Sequence, residues 1–230
     1  MLRRMMLTAM ALSFSASVYA AKITEGFEDT AVLKKWEIEG DAKISEAQFH
    51  GGKSALSVPA GATAIFRFST ENKFGTVIMW VYDSFSTKGS KLAKNWSGPY
   101  FGLINSDDDK AVELVAFRTQ STSGVKNYRV VFTGENQWYN TWSSGIARKA
   151  GWNKFTFTFT DDKTIEAAWN DEKKDVTFPL KLQFFNKGAS GIIFGGGENL
   201  KADNETFYYD DIEIEVKDAV KEAPKEEPKK

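Results

Sequence analysis

The amino-acid sequence predicts an all-β protein built as a two-sheet antiparallel sandwich, and three observations support this fold class. Short runs of strand-favouring residues recur along the chain, separated by turn residues. Aromatic residues make up 14% of the sequence, with 18 Phe and 7 Trp. Long helical runs rich in Leu, Ala and Glu are absent, and a composition of this kind favours strands.

The individual strands are predicted from alternation, apolar runs and the turn residues that bound them. Residues 54–58 read as a strand stopped by turn residues, and 75–82 is nearly continuously apolar, as in a central strand covered on both sides. The clearest alternation is 155–160, which pairs with 164–169 across a polar turn as a hairpin. The predicted strands are 36–40, 42–45, 54–58, 64–68, 75–82, 100–104, 111–118, 126–133, 155–160, 164–169, 180–185, 191–194 and 207–216.

Two longer connections are predicted to be surface loops. Residues 83–99 are polar and irregular, and residues 134–150 contain Trp138, Tyr139 and Trp142 but few aliphatic side chains. Exposed aromatic loops on a rigid scaffold are typical of ligand contacts. We therefore expect the second loop to touch a ligand.

The ends of the chain are predicted to lie outside the folded domain. Residues 1–20 combine Arg3 and Arg4, a short apolar run and small residues before a cleavage site, which indicates a Sec-type signal peptide. Residues 217–230 consist mainly of Lys, Glu, Ala and Pro and are expected to be disordered. The sequence thus predicts one sandwich domain over 21–216, exported to the periplasm or the extracellular space, with no transmembrane segment.

Charge and cysteine content exclude several classes of function. The chain has 30 Lys+Arg and 31 Asp+Glu, and losing Arg3 and Arg4 with the signal leaves 28 against 31. Without a basic block, nucleic acid is not an expected partner. The absence of cysteine excludes disulfides, thiol catalysis and zinc-thiolate sites.

The last predicted strand carries a carboxylate among apolar side chains. Strict alternation assigns one face of 207–216 to Tyr208, Asp210, Ile212, Ile214 and Val216. A buried carboxylate without a partner is costly, so a cation or a set of hydrogen-bond donors is expected to meet Asp210.

Five segments in this order resemble the concanavalin A-like, laminin G-like jelly-roll domains: GFED with its following Trp and Gly, FHGGKSALSV, GTVIMWVYD, GWNKFTFTFTDDKTIEAAWND and YYDDIEI. The terminal pieces are also similar to xylan- and glucan-binding modules whose jelly roll holds a structural calcium. That second resemblance implies a calcium site made of the Gly26 carbonyl, Glu28, backbone oxygens of the 50–53 loop and Asp210. The loop departs from the pattern because no acidic residue stands beside Lys53.

Carbohydrate recognition requires exposed rings that stack on sugars and polar groups that bind their hydroxyls. Four Trp residues in strands or at strand entries, Trp36, Trp80, Trp152 and Trp169, are instead assigned to the core. The predicted ligand contacts are the rings of Trp96, Tyr100, Trp138, Tyr139 and Trp142, with Arg118, Tyr128 and Arg148 as hydrogen-bonding partners.

The sequence favours a non-catalytic, lectin-like protein that binds a polysaccharide or glycoconjugate. One alternative is a glycoside hydrolase or polysaccharide lyase on the same fold, using Asp211, Glu213 and Glu215, although a solvated face explains these alternating acids more simply. Another is a structural or adhesion protein of the cell envelope that meets a protein partner. Jelly rolls host all three functions, so the fold does not choose between them.

Overall fold

Alternating apolar residues form strands throughout the computed structural model, which describes residues 21–84, 96–105, 112–120, 127–133, 139–160, 165–170, 172–174, 188–195 and 206–217. A short 3-10 helix, Thr30–Lys35, is the only helix in these ranges. The strands are β1 (Ala21–Glu25), β2 (Trp36–Glu39), β3 (Lys43–Ser45), β4 (Ala55–Pro59), β5 (Thr63–Arg67), β6 (Phe74–Asp83), β7 (Trp96–Asn105), β8 (Val112–Gln120), β9 (Asn127–Thr133), β10 (Tyr139–Ala147), β11 (Gly151–Phe159), β12 (Ile165–Trp169), β13 (Glu172–Lys174), β14 (Gly191–Gly195) and β15 (Thr206–Lys217).

The strands form two antiparallel sheets, which confirms the predicted all-β sandwich. In the described part of the chain, the first sheet has the order β13-β12-β11-β6-β15-β4-β3, with β1 pairing the second half of β15. The second sheet has the order β10-β9-β8-β7-β14-β5-β2. The predicted β11–β12 hairpin is present, and β7 and β8 pair as antiparallel neighbours.

Two predicted loops are partly strand in the structure. Strand β7 already begins at Trp96, inside the predicted loop 83–99. Much of the predicted loop 134–150 is the strand β10, which pairs with β9 at the edge of the second sheet. Aromatic residues are strong strand formers, and this preference prevails over the loop-like content of polar residues and glycine. The predicted strand 180–185 lies outside the described residues.

The core fills the space between the sheets with large aromatic side chains. Phe155, Phe157 and Phe159 alternate along β11 and are buried, as the Phe-Thr repeat predicts. Trp36 is also in the core, where its ring lies 5.6 Å from that of Phe194. Each fully buried side chain of this size contributes about 2–3 kcal/mol to folding.

A β-bulge in β15 changes which of its side chains face the core. Asp210 lies opposite Trp80 of β6, but the next partners are Glu213 and Ile78, so β15 contains one extra residue here. Asp211, in this bulge, adopts a left-handed conformation with φ of 42°. The prediction that Asp210 shares a face with the apolar residues after it is therefore wrong.

The bulge leaves Asp210 on the outer face, meaning the face of the first sheet that is turned away from the second. Its side chain is nevertheless fully buried, because the loop 46–54 covers it. Within the described residues, no helix is long and apolar enough to cross a membrane.

Candidate functional site

Half-buried aromatic rings form a patch on the outer face of the first sheet. Trp152 of β11, Tyr82 of β6 and Tyr208 of β15 lie side by side in one cross-strand row. The ring centroids of Tyr82 lie 5.5 Å from Trp152 and 6.0 Å from Tyr208, both with edge-on geometry. Trp80 occupies the next row along β6. We call these four rings and the imidazole of His50 the aromatic patch.

The loop 46–54 places His50 on this patch through hydrogen bonds to a buried carboxylate. Oδ2 of Asp210 accepts the backbone N–H groups of His50, at 2.8 Å, and Gly51, at 3.1 Å. Its Oδ1 accepts the N–H of Asp211 at 2.8 Å. Burial raises the pKa of Asp210, the three N–H bonds lower it, and the nearby charge of Asp211 raises it further.

A second carboxylate fixes the far end of the same loop. Oε1 of Glu28 accepts the N–H groups of Lys53, at 2.9 Å, and Ser54, at 3.3 Å. Ser54 Oγ in turn donates to the carbonyl of Phe27 at 2.8 Å. Gly52 has a φ of +62°, and a Cβ there would lie 2.0 Å from Glu28 Oε1, so only glycine fits this close approach.

The side chain of His50 is held by two contacts of its own. Nδ1 lies 2.6 Å from Oδ2 of Asp211, and the imidazole stacks on Trp80 with ring centroids 3.6 Å apart. An ionised carboxylate only accepts hydrogen bonds, so we assign the proton to Nδ1. Nε2 then has no protein partner within the described residues and is free to bind a ligand hydroxyl.

A depression of about 390 Å³ opens beside Trp80, along the bulge. Its polar lining includes Glu25, Asp211 and Glu213, three carboxylates that also reach solvent. Aromatic surface next to hydrogen-bond acceptors is the combination that sugar recognition requires.

Glu28 and Asp210, the two side chains of the predicted calcium site, lie at opposite ends of the loop 46–54. At both ends the loop presents backbone N–H groups to these carboxylates. Calcium ligation by this loop requires carbonyl oxygens instead. In the described part of the chain, no group of three or more His, Asp and Glu side chains has a geometry that would hold a metal. Calcium at Gly26, Glu28 and Asp210 stays a prediction of the sequence resemblance.

Chelation tests that prediction. A calcium ion held by Glu28 and Asp210 predicts that EDTA lowers the melting temperature, measured by circular dichroism, and that added calcium restores it. An unchanged melting temperature would mean that the backbone N–H bonds to these two carboxylates hold the loop without a metal.

Two of the predicted ligand contacts form a buried ionic cluster instead. Arg148 donates from Nε to Asp83 Oδ2 at 2.7 Å and from Nη2 to Oδ1, and Tyr128 donates to Oδ2 at 2.7 Å. Burial, with the charge of Asp83 and the hydrogen bond to it, raises the pKa of Tyr128 well above its ordinary value. The prediction that Tyr128 and Arg148 face a ligand is corrected, because both are inside the sandwich.

Tyr100 is also buried, with 3% of its surface exposed, so the prediction that its ring is exposed to a ligand is wrong. Trp96, Arg118, Tyr139 and Trp142 lie on strands of the second sheet, but their side chains are outside what the structure describes. Trp138 lies entirely outside the described residues. For these five residues, ligand binding stays a prediction.

The prediction that Trp80 and Trp152 lie in the core is wrong, because both rings are half-buried on the outer face. Both lie at even-numbered positions of strands whose odd-numbered side chains are buried. The Phe155, Phe157 and Phe159 repeat already marks the core face of β11, and this parity places Trp152 on the opposite face. The contact between His50 and the other four rings of the patch has no such signal, since it depends on a loop packed against a bulge that is distant in sequence.

Comparisons with known proteins give a fold but no family. No family model matches the chain, and no curated protein sequence matches it. The chain is similar to the solved structure of the cellulose-induced protein Cip1, with a TM-score of 0.53 and 16% identity over 84% of this chain and 96% of that one. It is also similar to a carbohydrate esterase of a Shiga toxin-encoding bacteriophage, with a TM-score of 0.51 and 13% identity over 84% and 99% of the two chains.

A third similar structure is the binding domain of botulinum neurotoxin serotype D. The TM-score is 0.51 and the identity 16%, over 80% of this chain and 44% of that one. The chain therefore spans less than half the length of the toxin structure. At these identities the three likenesses establish a shared β-sandwich fold and nothing further.

Proposed function

We propose that this chain is an exported carbohydrate-binding protein of the jelly-roll class that recognises a polysaccharide or glycoconjugate at the aromatic patch. The observation that carries the proposal is the row of half-buried rings of Trp152, Tyr82 and Tyr208, extended by Trp80 and His50. Rings on a sheet face offer flat apolar surface for the C–H groups of a sugar at little entropic cost. Two of the proteins with a similar fold, a carbohydrate esterase and a cellulose-induced protein, are consistent with such a ligand.

The polar groups around the rings supply what a sugar's hydroxyls need. His50 offers Nε2, and Asp211 and Glu213 offer carboxylate oxygens at the edge of the depression. Because Asp210 and Glu28 fix the loop, His50 is already positioned before a ligand arrives, which reduces the entropy lost on binding.

The substitution Trp152→Ala tests this function. We expect it to weaken glycan binding about tenfold or more, because loss of the largest ring of the row costs on the order of 1.4 kcal/mol or more. Trp152 is half-buried on the outer face and contacts the rings of Tyr82 and His50, so its loss should also lower the free energy of unfolding by about 1–2 kcal/mol. Binding is measured on a glycan array and by calorimetry with the best glycan.

The matched control is Trp152→Phe, which keeps a ring and should keep most of the affinity. Unchanged affinity in Trp152→Ala would overturn the placement of the site. Binding of a protein but no glycan would favour the envelope-adhesion alternative.

Catalysis at the same patch is a second candidate, favoured by one observation. The 2.6 Å contact between His50 and Asp211 has the form of a general base with its orienting carboxylate. Of the three acids predicted for a catalytic alternative, Glu213 and Glu215 are exposed on the outer face and Asp211 is bonded to His50. Release of reducing ends or acyl groups from a bound glycan by the unmodified protein would favour this candidate over simple binding.

A further inference from the structure

The three rings of the row lie across the strands and not along a single strand. Trp152 of β11, Tyr82 of β6 and Tyr208 of β15 are cross-strand neighbours on the outer face, and each is half-buried. Neighbouring strands lie ~4.8 Å apart, which is close to the repeat of one sugar unit in a polysaccharide. A chain that runs across the strands can therefore place one sugar on each ring.

The loop 46–54 forms a wall along one side of this row. His50 stacks on Trp80, the next outer residue of β6, with ring centroids 3.6 Å apart, and its ring lies edge-on to Trp152 at 5.8 Å. The backbone bond from His50 to Asp210 holds the loop in this position. The wall blocks a ligand that would run along β6 past Trp80, so a ligand on the row must cross the strands.

The planes of the three rings are turned steeply against one another. The ring of Tyr82 makes an angle of 66° with that of Trp152 and 85° with that of Tyr208. A sugar stacks by laying its C–H face parallel to an aromatic ring. Sugars on neighbouring rings of the row must therefore present faces that are rotated by a large angle relative to each other.

We infer that the ligand is a soluble polysaccharide whose chain twists strongly from one sugar to the next, bound across β11, β6 and β15. This inference rests on the proposed function and adds the class of glycan and the binding mode. A flat ribbon, as in crystalline cellulose, keeps successive sugar faces coplanar and needs coplanar rings to stack on. A flat crystal surface would in addition meet the wall at His50, which lies on top of Trp80.

Binding to soluble and crystalline glycans tests the inference. The soluble probes are xylohexaose, laminarihexaose and maltohexaose, whose chains are helically twisted, and cellohexaose, whose chain is nearly flat, all measured by calorimetry. The insoluble probe is microcrystalline cellulose in a sedimentation assay. We expect one of the twisted hexasaccharides to bind about tenfold or more tightly than cellohexaose, and we expect the protein not to sediment with cellulose.

Substitutions at two positions test the direction of the bound chain. Tyr208→Leu removes the ring at one end of the row but keeps apolar volume, and it should weaken binding of the best hexasaccharide about tenfold. Its disaccharide should lose much less, because the rings of Trp152 and Tyr82 remain. Tyr208→Phe keeps the ring and is the matched control. Thr76→Ala changes the same face of β6 beyond the wall and should leave the affinity unchanged.

Circular dichroism melting checks that each variant is folded. Sedimentation with cellulose, cellohexaose affinity equal to that of the twisted chains, unchanged hexasaccharide affinity in Tyr208→Leu, or a loss in Thr76→Ala would each overturn the inference. The proposed function survives any of these results, because a glycan is still bound. It fails instead if no glycan binds or if Trp152→Ala keeps full affinity, and the inference then fails with it.

Discussion

Replacing Arg148 with Met is expected to lower the free energy of unfolding by about 3–5 kcal/mol. Arg148 and Asp83 have 1% and 0% of their side chains exposed, so the substitution removes the guanidinium that pairs with a fully buried carboxylate. Water cannot compensate for the lost guanidinium at this depth. Urea unfolding followed by Trp fluorescence measures the effect, which corresponds to a fall in melting temperature on the order of 10 °C.

The matched control is Arg67→Met, which removes the same side chain from an exposed ion pair with Glu37 at 2.6 Å. A solvent-exposed pair contributes about 1 kcal/mol or less, so the free energy of unfolding of this variant should be close to that of the unmodified protein. The double variant Asp83→Leu with Arg148→Met removes both charges and should regain part of the loss. Equal effects of Arg148→Met and Arg67→Met would show that the buried cluster is not a major source of stability.

Replacing Asp210 with Ala is expected to destabilise the protein by about 2–4 kcal/mol, because three N–H groups lose their shared acceptor in a buried site. His50 should then lose its position over Trp80, which weakens glycan binding as well. The control is Glu213→Gln on the same strand, where the side chain is exposed and the change should stay within about 0.5 kcal/mol.

The pH dependence of the Asp210 effect has a definite sign. Burial raises the folded-state pKa of Asp210 above its unfolded value, so the folded state binds the proton more tightly. Stability from this group is therefore fully present below the ordinary carboxyl pKa of about 4 and decreases as the pH rises through the raised value. The reference for this effect is the variant Asp210→Asn, whose side-chain amide does not titrate between pH 3 and 7.

The stability difference between these two proteins should be largest near the acidic end of the range and become smaller toward neutral pH. Urea unfolding at several pH values between 3 and 7 measures it, and the other titrating groups cancel because both proteins share them. A difference that instead grows with pH would mean that hydrogen bonds to the ionised carboxylate outweigh its burial.

Most of the strands are predictable from the sequence because their signals are local. The Phe155, Phe157 and Phe159 repeat, for example, depends only on side chains alternating across one strand. Strand β10 is not predictable in this way, since rings and small polar residues look the same in an edge strand as in a loop. The burial of Tyr128 and Arg148 is not predictable either, since nothing nearby in the sequence shows that Asp83 contacts them inside the sandwich.

By itself, the sequence determined the all-β sandwich, the β11–β12 hairpin and the need of Asp210 for partners. Only the tertiary structure decided which groups these partners are. They include N–H groups of a loop 160 residues away along the chain, and the bulge in β15 turns Asp210 toward that loop. The tertiary structure also decided that Trp80 and Trp152 form an outer patch with His50. The physical reason is that alternation is a property of one strand, whereas a bulge and a loop contact depend on how separate strands are paired and packed.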